Sequence, residues 1–296
     1  MTTTKKRSKN HRKHFLSFFS ARKIIRKLKI KSQIAWYEYS LSKRPFNIPS
    51  RPCHIYNEWK GWNDWLGLNK ERGQNGRRYT INENYFKKWS PNMAYILGLW
   101  WTDGNIFENR FNISQHKTDK YLLENILEEM DSNYPVHQGK DSCSYINIYS
   151  KYIVEDIKKL GGCENKSKTI GIPNVPIKYL PSFIGGLWDG DGSIWLWKNK
   201  SVYLSSICSG SKLFIYSLHN LLKKIIPDLG GFIKCDRRLK GFKVLGSPIK
   251  HNSVTYSLQL GINDTKRIGQ FILSGKNKIR LKRKYEKFKM VSNPKK

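Results

Sequence analysis

The chain has 296 residues, of which 39% are hydrophobic and 13% aromatic, so it can form a sizeable core and is not a disordered protein. Its 55 Lys and Arg residues against 22 Asp and Glu residues give a formal net charge of +33. This charge favours a polyanionic partner, with nucleic acid ahead of an anionic membrane surface. No apolar run reaches the roughly 18–20 residues that a membrane-spanning helix needs, so we expect no membrane partner.

The cysteines and histidines predict no metal cluster and no disulfide framework. The five cysteines are scattered along the chain and include no C-x-x-C pair, and the seven histidines form no H-E-x-x-H pattern. We therefore expect free thiols in a reducing compartment.

The first residues form a basic tail, which we predict at residues 1–20. Residues 1–50 hold 14 Lys and Arg residues against one acid, Glu38, for a net charge of +13. This composition is typical of an organelle transit peptide and equally of an arm that binds nucleic acid, and the residues leave both open. The composition is also rich in Lys, Asn and Ile, as in proteins from AT-rich organellar or viral genomes, and of these we expect a plastid or mitochondrial location.

A small module follows this tail. Helix-like patterning around Ala21–Ser40 is followed by three prolines between residues 45 and 52, which end any helix. Trp59, Trp62 and Trp65 then recur three apart, near one face of a turn or short helix. We expect them to form a small core in preference to an exposed surface for base stacking.

The stretch from Ala21 to Leu68, and in particular its IPSRP and EWKGWNDWLG segments, resembles the integrase repeat, a short module of nucleic-acid-associated proteins. The resemblance implies association with nucleic acid and no chemistry. We predict an integrase-repeat-like helical module at residues 21–70, followed by an Asn-, Gly- and Arg-rich linker at residues 71–90.

From Ser90 onward the predicted elements repeat. Each half has an apolar helix, then strands, a helix, strands and a closing helix. In the first half we predict strands at residues 111–115 and 144–150 and helices at 118–130 and 151–162. In the second half we predict strands at residues 202–209, 230–235 and 254–262 and helices at 211–226 and 264–275. This order predicts an α+β fold with the helices on one face of antiparallel strands.

One short phrase occurs in both halves. Residues 95–106 read YILGLWWTDGNI, and residues 183–194 read FIGGLWDGDGSI. Over the last nine residues of each, six positions are identical, namely Gly98/Gly186, Leu99/Leu187, Trp100/Trp188, Asp103/Asp191, Gly104/Gly192 and Ile106/Ile194. The apolar residues predict a buried helix, and the shared glycine predicts a close approach of two helix backbones.

The phrase places an acid at the C-terminal end of each predicted helix. The helix dipole is negative there and disfavours a carboxylate, so an acid at that place in both copies indicates a divalent cation. Asp-Gly is also a common helix stop, which is the plain structural alternative. A simple turn would not need the matched Gly-Leu-Trp before it, however, so the duplication favours a functional site.

Ile96–Gly104 and Ile184–Gly192 resemble the two motifs of a single-chain LAGLIDADG homing endonuclease. The resemblance extends over residues 92–290 and includes the segment KSKTIGIPNVPIKYLPSFIGGLWDGDG and the closing KIRLKRKYEKF. It implies a pseudo-twofold pair of αββαββα units, with the motif helices at the central interface and a saddle of antiparallel strands in the DNA major groove. The domains implied are a first half at residues 91–182, a second half at 183–290 and a basic tail at 291–296.

The resemblance also implies the site residues. Asp103 and Asp191 match the motif's last acid, which binds Mg²⁺ at the two scissile phosphates. A lysine in each half supports the network of water and phosphate, and Lys168 and Lys278 match it, with an ordinary surface lysine as the alternative for either.

The two motifs differ at one position that holds an acid in part of the family. The second copy has Asp189 there, whereas the first has Trp101. We assign Asp189 no catalytic role, and we expect the halves to be asymmetric, with a bias in which strand is cut first.

The resulting prediction is an intron-encoded, metal-dependent DNA endonuclease that hydrolyses both strands of a specific double-stranded site with Mg²⁺ as its cofactor and acts as a monomer. One alternative is an intron maturase that binds its intron RNA and assists splicing. Another is a DNA-binding protein of the same fold without cleavage activity. The presence of both acids favours cleavage.

Overall fold

The structure is a computed structural model that describes residues 15–68, 78–139, 142–196, 203–238, 243–244, 247–248 and 253–292. The chain divides into two compact units, Met1–Asn75 and Gly76–Lys296. Within the described ranges, no helix combines the length and the apolar character that crossing a bilayer requires. Of the predicted basic tail, residues 1–14 lie outside the described residues, and residues 18–20 already belong to the first helix.

The described part of the first unit, residues 15–68, contains three α-helices, α1 (Phe18–Lys27), α2 (Gln33–Ser42) and α3 (Trp62–Leu66). The helix-like pattern around Ala21–Ser40 therefore covers two helices and not one. The break has a local cause, because Lys29 adopts a positive φ of 51° and Ser32 caps α2 by accepting a hydrogen bond from the Ala35 amide.

Tryptophans fill the core of this unit, as predicted. Trp36 and Trp65 are fully buried, with ring centroids 6.1 Å apart in an edge-to-face arrangement. Trp59 and Trp62 are partly buried against the same cluster. The prediction of a small core, in preference to an exposed stacking surface, is confirmed.

The second unit is built from two halves with the same order of elements. The first half comprises α4 (Pro91–Asp103), β1 (Gly104–Phe107), β2 (Arg110–His116), α5 (Lys120–Glu129), β3 (Val136–Gln138), β4 (Cys143–Tyr149) and α6 (Lys151–Lys159). The second half comprises α7 (Leu180–Asp191), β5 (Gly192–Leu196), β6 (Tyr203–Ser209), α8 (Lys212–Ile225), β7 (Phe232–Arg238), a small ribbon of β8 (Lys243–Val244) and β9 (Ser247–Pro248), β10 (Ser253–Leu260) and α9 (Ile262–Leu273). A closing helix, α10, spans Lys282–Ser292.

Each half has its own antiparallel four-stranded sheet. The strand orders are β1-β2-β4-β3 and β5-β6-β10-β7, which correspond position by position once the ribbon is set aside. In both, the helices cover one face of the strands, because alternate residues such as Ile113 and Ile207 are fully buried. The predicted α+β fold of paired αββαββα units is confirmed.

The segment predicted as a linker at residues 71–90 is described from Arg78 onward. There Ile81, Tyr85 and Phe86 are buried in the core of the second unit. This part of the segment therefore belongs to a folded unit, because its apolar side chains pack against the first half. Of the predicted tail at residues 291–296, Val291 and Ser292 form the end of α10 and are buried.

The two motif helices, α4 and α7, pack against each other through their shared glycines. A β-carbon added to Gly98 would lie 2.1 Å from the Phe183 carbonyl oxygen, and one added to Gly186 would lie 2.1 Å from the Tyr95 carbonyl oxygen. Any side chain at either position would push the backbones apart. The close approach predicted from the repeated glycine is thus present in both directions.

Local packing also explains why the tryptophan and the second glycine are repeated in the two motifs. Trp100 and Trp188 are fully buried, and each indole lies against the glycine that follows the acid. A β-carbon on Gly104 would be 2.2 Å from Trp100 Cδ1, and one on Gly192 would be 2.5 Å from Trp188 Cδ1. The phrase therefore occurs twice because each half needs the same turn from an interface helix into the first strand of its sheet.

Candidate active site

The acids of the two motifs come together at one end of the helix pair. Asp103 is the last residue of α4, and Asp191 is the last residue of α7. A β-carbon on Gly190 would lie 1.9 Å from Thr102 Oγ1 and 3.1 Å from Asp103 Oδ2. The end of α7 thus lies directly against the acid of α4, and the structure brings the two predicted acids into one site.

The surroundings of both acids disfavour a negative charge. Desolvation, together with the nearby charge of Asp103, raises the pKa of Asp191 to about 6, although the Asp191 side chain stays accessible to solvent. Desolvation also raises the pKa of the half-buried Asp103, while a hydrogen bond from Gln115 Nε2 to Asp103 Oδ2, 2.6 Å long, lowers it. A bound cation would relieve this unfavourable pair of charges.

Two buried lysines hold the ends of the motif helices. Lys166 Nζ donates to the carbonyl oxygens of Trp101 and Thr102, at 2.6 and 3.1 Å. In the second half, Lys284 Nζ donates to four carbonyl oxygens at 2.6–3.0 Å, those of Trp188, Asp189, Gly190 and Gly192. Each ammonium therefore binds carbonyl groups that a helix end leaves without partners, and each offsets the negative end of the dipole.

The same two lysines carry charge next to the acids. Desolvation lowers the pKa of Lys166 and of Lys284 to about 8, and the charges of Asp103 and Asp191 act in the opposite direction. The sequence reasoning missed both. Their only signal was their place, since Lys166 follows α6 and Lys284 follows α9, among several lysines that look equivalent in the sequence.

The lysines predicted from the resemblance lie elsewhere. Lys168 and Lys278 are exposed, and neither is among the charges that act on the pKa of Asp103 or Asp191. Lys278 contacts the first half through its backbone, whose N–H donates to Asn92 Oδ1 at 2.7 Å. Their role in the site stays a prediction.

The two motifs differ at the position held by Asp189 in one half and by Trp101 in the other. In each half, this residue makes hydrogen bonds to a distant segment of the chain. Asp189 is buried, and its Oδ2 accepts hydrogen bonds from Tyr95 Oη at 2.7 Å and from the Leu281 amide at 2.8 Å. Trp101 Nε1 donates to the Gly171 carbonyl at 2.7 Å. Each residue therefore fastens the segment that carries the buried lysine of its half.

The donor set fits a magnesium ion that shares its coordination with a phosphate. In the part of the chain that the structure describes, no group of three or more His, Cys, Asp or Glu side chains could enclose a metal. Mg²⁺ in proteins keeps several waters and is bound by one or two carboxylates together with substrate phosphates. Asp103 and Asp191 supply such carboxylates, so the residues suit Mg²⁺ better than a closed structural site.

No family model and no curated protein matches the chain. Among solved structures, similar chains are the meganuclease I-SmaMI bound to uncleavable DNA and the LAGLIDADG meganuclease I-AabMI bound to uncleaved DNA. The first is 15% identical with a TM-score of 0.45, and the match covers 69% of this chain and 89% of that one. The second is 11% identical with a TM-score of 0.41, with 69% and 90% covered.

Proposed function

We propose that this chain is a LAGLIDADG homing endonuclease that cuts both strands of a specific DNA duplex. The observation that carries the proposal is the joint position of Asp103 and Asp191 at the ends of two helices packed through Gly98 and Gly186. Each acid is followed at once by the first strand of its own sheet. One acid for each half, at a shared site, suits a reaction on two strands.

The open faces of the sheets support DNA as the substrate. Strand alternation places one residue in two on the face away from the helices. In the first sheet, these described residues include no acid; they are Asn105, Phe107, Arg110, Asn112, Ser114, His116, His137, Cys143, Tyr145, Asn147 and Tyr149. A four-stranded face of polar and aromatic side chains on a +33 protein suits the major groove and its phosphates. Since the chain holds both halves, we propose that it acts as a monomer.

In the proposed mechanism, Asp103 and Asp191 would hold Mg²⁺ against the scissile phosphates. The metal would supply an activated water and stabilise the leaving oxygen. Gln115 orients the Asp103 carboxylate through its hydrogen bond to Oδ2. Lys166 and Lys284 fix the ends of α4 and α7, so the two carboxylates keep their relative positions.

A cleavage selection tests this proposal. The full chain is incubated with a library of randomised DNA duplexes in Mg²⁺, and the cut ends are captured and sequenced. We expect a single family of related sequences cut on both strands. In EDTA, cutting should stop while binding to the same duplexes persists. Cutting that continues in EDTA would overturn the metal mechanism.

The maturase alternative is tested with the enriched duplex as the reference. An endonuclease reads the major groove of a duplex, whereas A-form RNA hides that groove and is recognised by shape and unpaired loops. At matched salt, the enriched duplex should therefore outcompete the intron RNA of the chain's own gene. Tighter binding to that RNA, together with faster splicing, would favour the maturase.

A further inference from the structure

The open face of the first sheet carries a row of three asparagines beside the candidate active site. Strand register places Asn105 of β1 opposite Asn112 of β2, and Asn112 opposite Asn147 of β4. Asn105 is two residues beyond Asp103, so this row is the part of the open face that adjoins the acid. Its place makes it a candidate for reading the bases next to the cleaved phosphate.

Hydrogen bonds hold this row in one arrangement. Asn112 is 8% exposed, and its Nδ2 donates to the Ile146 carbonyl at 3.0 Å and to Asn147 Oδ1 at 2.9 Å. Asn112 Oδ1 in turn accepts from Asn105 Nδ2 at 3.1 Å and from Ser114 Oγ at 3.3 Å. The amide of Asn112 thus makes all its hydrogen bonds within the protein, and it orients the side-chain amides of Asn105 and Asn147.

The orientation decides what the outer amides present to a ligand. Asn105 is exposed and uses one N–H in the row, which leaves its second N–H and its carbonyl oxygen for a partner. One donor beside one acceptor is the set that an asparagine uses to bind N7 and N6–H₂ of adenine in the major groove. Asn147 accepts through its Oδ1, so it has N–H donors to offer.

The second half has hydroxyl groups at two of the three corresponding places, while Gln259, which pairs with Ser206, stands at the place of Asn147. The first residues of β1 and β5, Gly104 and Gly192, pair with Ile113 and Ile207, so Ser193 corresponds to Asn105 and Ser206 to Asn112. Ser193 Oγ and Ser206 Oγ lie 3.2 Å apart and bond to each other. A hydroxyl can either donate or accept a hydrogen bond, so it can pair with several bases. An amide held in one orientation selects a single base.

We propose that Asn105 is a specificity-determining residue that reads an adenine next to the phosphate cut by the first half, with Asn112 as its positioning residue. The inference rests on the proposed endonuclease function and adds the base class that the site selects. The second half, with Ser193 and Ser206 in these places, tolerates more bases at the matching position. The preferred target is therefore stricter in one half-site than in the other, close to the cut.

A binding selection tests the inference. Full-length wild type, Asn105→Ala and the matched control Ser193→Ala are each used to enrich a randomised duplex library in EDTA, where no strand is cut. We expect wild type to favour adenine strongly at one position near the centre of the enriched sequence. Asn105→Ala should lower that preference by about 5- to 100-fold at that position alone. Ser193→Ala should change preferences only a few-fold, in the other half-site.

The variant Asn112→Ser tests whether the adenine preference depends on the orientation of Asn105. This variant loses the amide that orients Asn105, so the adenine preference should weaken while the salt dependence of binding stays the same, since no phosphate contact is removed. An unchanged adenine preference in Asn105→Ala, or an equal loss in Asn105→Ala and Ser193→Ala, would overturn the inference while leaving the endonuclease proposal intact. If wild type enriches no duplex at all, the proposed function falls and the inference with it.

Discussion

Gly98 of α4 lies directly against the backbone of Phe183 in α7, where a β-carbon would be 2.1 Å from the carbonyl oxygen. Gly186 has the same relation to Tyr95. The two contacts are related by the pseudo-symmetry of the halves, and together they set the distance between the helices that carry Asp103 and Asp191. The stability of this interface and the geometry of the candidate site thus depend on the same two residues.

Gly98→Ala and Gly186→Ala should each destabilise the protein by about 1–3 kcal/mol or more, because the added methyl group overpacks a backbone contact. Gly185→Ala is the matched control in the same helix. Its β-carbon would meet Ile272 Cγ2 at an ordinary 3.4 Å, so it should be neutral or stabilise by up to about 1 kcal/mol through helix propensity. Denaturant unfolding measures all three, and equal effects at Gly185 and Gly186 would contradict the packing.

The duplicated phrase made much of the fold and of the candidate site predictable from the sequence. It identified the interface helices, the paired acids and the two-half α+β fold, because each requirement recurs at the same spacing in the sequence. The break between α1 and α2 was not predicted, since the apolar positions on both sides serve one core and the turn at Lys29 leaves no gap in the pattern.

The buried lysines were beyond sequence reasoning for a different reason. Lys166 and Lys284 reach carbonyl groups 64 to 96 residues away, and contacts of that kind leave no spacing rule. The asparagine row needed the strand register, since Asn105 and Asn147 are aligned only through β2.

Lys284→Met and Lys166→Met should both lower stability, because each leaves carbonyl groups at a helix end without a donor, at a cost of about 1–3 kcal/mol. Lys284→Met should cost more, since Lys284 makes four such hydrogen bonds and Lys166 makes two. Thermal unfolding of the two variants shows which of them loses more stability.

The exposed lysines serve as the control for these variants. Lys168→Met and Lys278→Met should change stability by no more than about 0.5 kcal/mol. Their effect on cleavage then shows whether either supports the site, as the family resemblance implies. A large loss of stability at Lys168 would contradict its exposed position.

Asp189 should make stability depend on pH. Its pKa is raised from 3.8 to about 6 by burial, so the folded state binds the proton more tightly than the unfolded state. The contribution of Asp189 to stability should therefore be greatest below pH 4, fall between pH 4 and 6, and be lower above pH 6 by about 3 kcal/mol.

Asp189→Asn isolates this contribution. Its amide oxygen can still accept from Tyr95 and Leu281, and it carries no charge to bury. The variant should be more stable than wild type above pH 6 and equal to it below pH 4, by denaturant unfolding across that range. A variant that is less stable than wild type at neutral pH would show that the charge itself is needed.

Deleting residues 1–75 should weaken DNA binding without changing the preferred site. The deletion removes much of the basic N-terminal region, where residues 1–50 alone carry +13, so fewer phosphates are neutralised and log K falls less steeply with log salt. Salt titrations with the enriched duplex measure the slope. A changed site preference would show instead that the first unit reads bases.

The most direct test of the account is strand cleavage by Asp103→Asn and Asp191→Asn on the enriched duplex in Mg²⁺. Each variant keeps the size of the side chain and the positive surface but loses a charged metal ligand. We expect both to bind the duplex as tightly as wild type, or more tightly, and to make no double-strand cut. Double-strand cleavage by either variant at the wild-type rate would contradict the assignment of the two acids as the active site.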